Sequence, residues 1–164
     1  MNSSAPGFKI AIPSAGRAAT IRTPLLLPPD LPYTVVTHDV NDAAWYRKNQ
    51  LLDKATVLVS HVSSGIARQR NWILENLVAP GRWVLMLDDN IKRFEKVDPH
   101  FYGQEQVERE ALDSAFWRKI YRQPATWSMV KSCLRESIWK AERIGANLIG
   151  FASAENPGTS SGTQ

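Results

Sequence analysis

Trp83-Val84-Leu85-Met86-Leu87 runs directly into Asp88-Asp89-Asn90-Ile91. Five consecutive apolar residues, preceded by the breaker Ala79-Pro80-Gly81, read as a short strand buried on both faces. The strand ends where polarity begins, so two carboxylates and an amide oxygen emerge together at its carboxyl end. In an open parallel sheet that end faces the ligand crevice. Hard oxygen donors placed there suit Mg²⁺ or Mn²⁺, and through the ion a diphosphate. A carboxylate of Asp88 or Asp89 that caps the next turn is the competing reading of the same residues.

Working upstream, Ile66, Ile73, Leu74, Leu77 and Val78 recur at helical spacing, which predicts a helix over 66–78. Before it, Thr56-Val57-Leu58-Val59-Ser60, Tyr33-Thr34-Val35-Val36-Thr37 and Phe8-Lys9-Ile10-Ala11-Ile12-Pro13 read as three further strands, with helix-forming residues over 42–52 between the second and third. Downstream, helices are expected over 104–122 and 126–144. The latter is led by Pro124, carries Val130, Cys133, Leu134, Ser137, Ile138 and Ala141 on one face, and stops at Gly145. Asn147-Leu148-Ile149-Gly150-Phe151 reads as a fifth strand. Strands alternating with helices predict an α/β fold, a Rossmann-like, mostly parallel sheet flanked by helices on both faces. The expected organisation is a flexible lead over 1–7, one nucleotide-binding domain over 8–157 and a flexible tail over 158–164.

Composition sets bounds on this reading. The 164 residues suit one domain, and 43% hydrophobic with 22% charged residues is ordinary for a soluble globular chain. No apolar run approaches the ~20 residues that span a bilayer, and no secretory signal precedes Phe8, so a cytoplasmic protein is expected. A single cysteine, Cys133, excludes an internal disulfide and a multi-cysteine zinc site, and its neighbours place it in a helix core. The net charge of +4 favours approach to a polyanion such as DNA or a nucleotide diphosphate, although charge alone fits many plain soluble proteins. His38, His61 and His100 lack metal-ligand spacing.

The remaining candidates lie at strand and helix ends. Pro13-Ser14-Ala15-Gly16-Arg17 follows the first strand, where backbone groups can hold a nucleoside and Arg17 a diphosphate. Asp39, past the second strand, is placed for a ribose or base edge. Gly65-Ile66-Ala67-Arg68-Gln69-Arg70-Asn71 opens a helix whose free amides, with Arg68 and Arg70, suit phosphate. Taken alone, the loop reads as an ordinary turn and the helix start as a solvated basic edge, while Asp39 reads equally well as a solvated strand-end carboxylate. Together they form four polar clusters converging on one crevice. Core packing suits at least two of Trp117, Trp127 and Trp139, and stacking on an extruded base is one use for an exposed one. The basic residues Lys92-Arg93 and 118–122 fit a solvated face as well as a nucleic-acid backbone.

This ordered set resembles the GT-A glycosyltransferase fold. Ile12-Pro13-Ser14 with Arg17 is similar to its first nucleotide loop, Gly65 through Asn71 to its glycine-to-Arg-Asn helix start, and Leu87-Asp88-Asp89-Asn90 to its DxD motif. Residues 84–91, with Gly150-Phe151 and Asn156-Pro157, most resemble the phage and TET-associated glycosyltransferases that modify DNA bases. The resemblance spans about residues 8–157. It implies transfer of a sugar from a nucleotide-sugar donor, a UDP-sugar first, to a hydroxymethylated base in phage DNA within the host cytoplasm. It also implies donor binding by Pro13, Ser14, Arg17, Asp39, Arg68, Arg70, Asn71, Asp88 and Asp89, and Mn²⁺ or Mg²⁺ held by Asp88, Asp89 and Asn90. Asn90 stands where the family usually has an aspartate. The family's acceptor half and catalytic base normally follow the strand resembled by 148–151, which leaves Glu155 as the candidate base by proximity in sequence alone and implies a truncated, split or degenerate enzyme, with a homo-oligomer or a partner chain as the expected associations. A nucleotidyltransferase and a non-catalytic nucleotide- or DNA-binding module are the alternatives.

Overall fold

The computed structural model describes residues 8–49, 55–63, 65–97 and 122–149. The chain divides into two units, Met1–Lys92 and Arg93–Gln164.

The first unit is built on four parallel strands: β1 (Phe8–Pro13), β2 (Tyr33–Thr37), β3 (Ala55–Val59) and β4 (Trp83–Met86), in the order β3-β2-β1-β4. Helix α1 (Val40–Lys48) connects β2 to β3, and α2 (Ile66–Asn76) connects β3 to β4. The strands form because their runs are apolar and β-branched. The sheet is covered on both sides, so consecutive residues are buried rather than alternate ones: Val35 and Val36 are both 0% exposed. On one face Ala11 and Val36 pack with Ile73, bordered by Trp72, Leu77, Val84 and Met86. The opposite parity holds Ile12 beside Val35 and Ile10 beside Leu85, all buried.

The connectivity decides where a ligand can sit. From β1 the chain steps outward through β2 to β3, then returns past β1 to β4 on its other side. With right-handed crossovers this places α1 and α2 on opposite faces. The order reverses between β1 and β4, so the crevice opens at the carboxyl ends of those two strands. Leu87 N–H donates to Ala11 O at 3.0 Å, carrying the pairing one residue beyond β4 and delivering Asp88 to this point.

In the second unit, β5 (Glu95–Val97) and β6 (Arg122–Pro124) form an antiparallel ribbon, closed by Ala125 N–H donating to Phe94 O at 2.9 Å. Phe94 and Trp127 meet with ring centroids 6.0 Å apart. Helix α3 (Trp127–Ile144) begins at Thr126, whose side chain accepts from Met129 N, and ends at Gly145 in the left-handed region at φ 71°. Its buried stripe is Val130, Leu134, Ile138 and Ala141.

Several sequence expectations need correction. Cys133 is exposed, because it lies roughly a quarter-turn from the centre of the α3 stripe. Trp139 is exposed, with the Arg143 guanidinium 4.6 Å from its ring, which is consistent with core packing for at least two of the three tryptophans; Trp117 lies outside the described residues. Pro124 closes β6 instead of leading a helix, and Arg122 opens that strand instead of ending one; the rest of the 104–122 helix lies outside the described residues. Residues 147–149 are not in a strand, and Gly150, Phe151 and Glu155 lie outside the described residues. Helix α1 starts earlier than expected because Asp39 caps it, and α2 ends at Asn76.

Candidate functional site

A cleft of about 320 Å³ lies at the strand carboxyl ends, lined by Pro13, Ser14, Arg17, Gln69, Asp88 and Asn90 together with Ala15, His38, Gly65, Ile66 and Asp89. Its walls are the β1 loop, the end of β2, the start of α2 and the residues after β4.

Asp89 organises the floor. Its Oδ2 accepts from Ser14 Oγ, and its Oδ1 is 2.8 Å from Arg17 NH1. Ser14 has one hydroxyl proton, which goes to the carboxylate, so in the 2.5 Å contact between Ser14 Oγ and Tyr46 OH the phenol must donate. The phenol oxygen in turn accepts from Arg17 N–H at 3.1 Å. A directional chain therefore runs from the Arg17 amide through Tyr46 and Ser14 to Asp89, and returns to Arg17 through its guanidinium. Burial, aided by the negative charges of Asp42 and Asp89, holds the Tyr46 phenol above its ordinary pKa. The hydrogen bond that the phenol oxygen accepts from the Arg17 amide opposes that shift.

The loop is pinned from α1 at two more points: Gly16 N–H donates to Asp42 Oδ2 at 2.9 Å, and Asn49 Nδ2 to Ala18 O at 2.5 Å. Gly16 supplies the φ of 65° that turns the chain towards these partners. On the β4 side the buried Thr23 hydroxyl donates to Asp88 O and accepts from Ile91 N–H, while Thr23 N–H and Arg22 N–H both reach Asp89 O. The backbone from Asp88 to Ile91 is thus fixed independently of the side chains.

Asp88 differs from Asp89. Its side chain is 60% exposed and pairs with Arg70 NH2 at 2.7 Å. Asp88 and the exposed Asn90 present hard oxygen donors of the kind that could hold a divalent cation. Both carboxylate oxygens of Asp89 already accept within the floor network, which leaves this residue a poorer direct ligand. Among the described residues no three His, Cys, Asp or Glu side chains converge on one point.

The structure brings Pro13, Ser14, Arg17, Asp88, Asp89 and Asn90 together around the cleft and places Arg70 against Asp88. Asp39 is engaged elsewhere: Oδ1 accepts from Asp42 N at 2.8 Å to cap α1, and Oδ2 lies 3.1 Å from His38 Nε2. The Asp42 amide hydrogen bond holds the Asp39 carboxyl below its ordinary pKa. Arg68 bonds Ser63, and Asn71 is exposed on α2; neither lines the cleft. Sequence reasoning missed Tyr46, Thr23, His38 and Gln69. The Ala43/Tyr46 spacing of three within α1 was the available signal for Tyr46.

With this geometry in view, the family model for TET-associated glycosyltransferases matches residues 8–133, most of the chain and all of the cleft. The chain belongs to this family. No curated protein and no solved structure matches it. Membership makes the chain a glycosyltransferase of the TET-associated type, with a Rossmann-like α/β fold, and a glycosyltransferase draws its sugar from a nucleotide-sugar donor. No helix among the described residues of this glycosyltransferase is long and apolar enough to cross a membrane.

Proposed function

We propose that this glycosyltransferase binds a UDP-sugar in the cleft and transfers the sugar to the hydroxyl of a hydroxymethylated base in DNA. One observation carries the donor half of the proposal: the crevice where the strand order reverses is lined by Arg17 beside the exposed oxygens of Asp88 and Asn90, with Arg70 paired to Asp88. The acceptor half rests on the family. Arg17 is aimed by Asp89, leaving the rest of its fork for phosphate. Arg70 and the amino end of α2, which no side chain caps, add positive potential.

In the reaction the bond between the sugar's anomeric carbon and the diphosphate oxygen breaks, and the base's hydroxyl oxygen bonds to that carbon. The electron pair leaves on the diphosphate, whose growing charge Arg17 and Arg70 stabilise. The hydroxyl proton passes to a general base, for which Glu155 stands as the candidate. Asp88 and Asn90 would hold Mn²⁺ or Mg²⁺, which when bound supplies further charge to the leaving diphosphate. The +4 net charge suits a DNA acceptor.

The test is incubation of the chain with radiolabelled UDP-glucose, Mn²⁺ and DNA carrying 5-hydroxymethylcytosine. Label in the DNA with stoichiometric UDP release is expected. Pyrophosphate release would establish a nucleotidyltransferase instead, and binding without turnover on any acceptor a non-catalytic module.

A further inference from the structure

Gln69 sits in the first turn of α2 and is 4% exposed, yet it lines the cleft. Its side-chain amide is directed by two backbone carbonyls. Nε2 donates to Val36 O at 2.5 Å and lies 3.4 Å from Ser14 O. Carbonyls only accept, so the NH₂ end of the amide must face them, which fixes which end of the side chain is which. Oε1 then has no hydrogen-bond partner among the described residues. Buried polar atoms are seldom left unpaired, and one that borders a cleft is a position for a ligand's complementary group.

We propose that Gln69 is a nucleoside-reading residue, its side-chain carbonyl accepting a hydrogen bond from an N–H or O–H of the donor's base or ribose. This rests on the cleft holding a nucleotide sugar. The placement follows from the sheet order. Val36 belongs to β2 and Ser14 follows β1, so Gln69 marks the β1–β2 side of the cleft, whereas Asp88 follows β4 on the other side of β1. A nucleoside diphosphate with its phosphates between Arg17 and Asp88 would extend its nucleoside towards Gln69 and His38. An amide whose donors are committed offers an acceptor alone. It therefore reads a uracil imide N–H or a ribose hydroxyl, and gives nothing to a group that only accepts. Val36 O also takes Ser14 N–H at 2.9 Å, so the loop keeps a tether when the Gln69 amide is removed.

The test is calorimetric titration of UDP, N3-methyl-UDP, 2′-deoxy-UDP and 3′-deoxy-UDP into wild type and Gln69→Met. In wild type, one analogue is expected to bind about tenfold more weakly than UDP, the size of one lost hydrogen bond. Gln69→Met is expected to weaken UDP by a similar factor and to bind UDP and that analogue equally. The proposal is overturned if UDP binding is lost in Asp88→Ala while every analogue keeps the same ratio to UDP in wild type and Gln69→Met. If the variant does not fold, equal affinities for all four compounds in wild type overturn it alone. Absence of UDP binding to wild type removes the nucleotide-sugar reading itself, and this proposal with it.

Discussion

Ser14→Ala removes one hydroxyl from the floor of the cleft. That hydroxyl lies in a buried residue, donates to a carboxylate that is itself largely buried, and receives the proton of a phenol in a fully buried side chain. Loss of a hydrogen bond to a charged group costs about 1.5–3 kcal/mol. The Tyr46 phenol would also lose its acceptor, a further cost of about 1 kcal/mol that it recovers in part by turning to Asp89. The expected loss is about 2–3 kcal/mol, against a total of about 5–15 kcal/mol for a typical domain. In urea unfolding followed by tryptophan fluorescence, a slope of about 1–3 kcal/mol/M turns this into a midpoint about 0.7–3 M lower. A double-mutant cycle with Asp89→Asn isolates the pair, and a coupling energy of about 1 kcal/mol or more is expected. A destabilisation below about 0.5 kcal/mol with no coupling would refute the directional chain from Arg17 to Asp89.

Tyr46 gives a pH signature. Its phenol pKa is raised in the fold, so the stability that its proton contributes is complete below the unfolded phenol value near 10 and is lost as pH rises through the higher folded value. The stability difference between wild type and Tyr46→Phe should be flat from about pH 7 to 9 and shrink above about 10; a difference that grows there would contradict the burial argument. At the far end of the chain, Thr126→Ala should cost about 0.5–1 kcal/mol through loss of the α3 cap, and leave UDP affinity unchanged. Gly145→Ala should cost about 1 kcal/mol because the residue sits at φ 71°, which thermal unfolding would register. Cys133, exposed on α3, should react with a thiol reagent in the folded protein at nearly the rate of the urea-unfolded chain.

The strands were legible because a sheet covered on both faces demands consecutive apolar residues, and Val35-Val36 and Leu85-Met86-Leu87 supply them. The cleft was legible because polarity returns abruptly at Ser14 and Asp88, where strands end. Individual roles were harder to read. Asp88 and Asp89 are adjacent in sequence and opposite in circumstance: one is exposed against Arg70, the other buried against Ser14 and Arg17. The difference depends on partners more than 70 residues away in the case of Asp89. Asp39 looked like a ligand group because it follows a strand, yet it also precedes a helix, and the cap uses its carboxylate. Gln69 lies inside the Gly65–Asn71 segment that drew notice for its arginines, but Gln69 and Ile73, four apart, are buried on one face while Arg68 and Arg70 are exposed. The α3 stripe took in Cys133 because a list of apolar residues is broader than the face that is actually covered.

The most direct test of the donor site is calorimetric titration of UDP and UDP-sugars into wild type and Asp88→Ala, with and without Mn²⁺. Asp88 is exposed and its pair with Arg70 is worth at most about 1 kcal/mol, so the variant should fold normally. Metal-dependent binding to wild type that disappears in Asp88→Ala is the predicted result, whereas equal binding to both proteins, or none to either, would contradict a nucleotide-sugar site at the β1–β4 crevice.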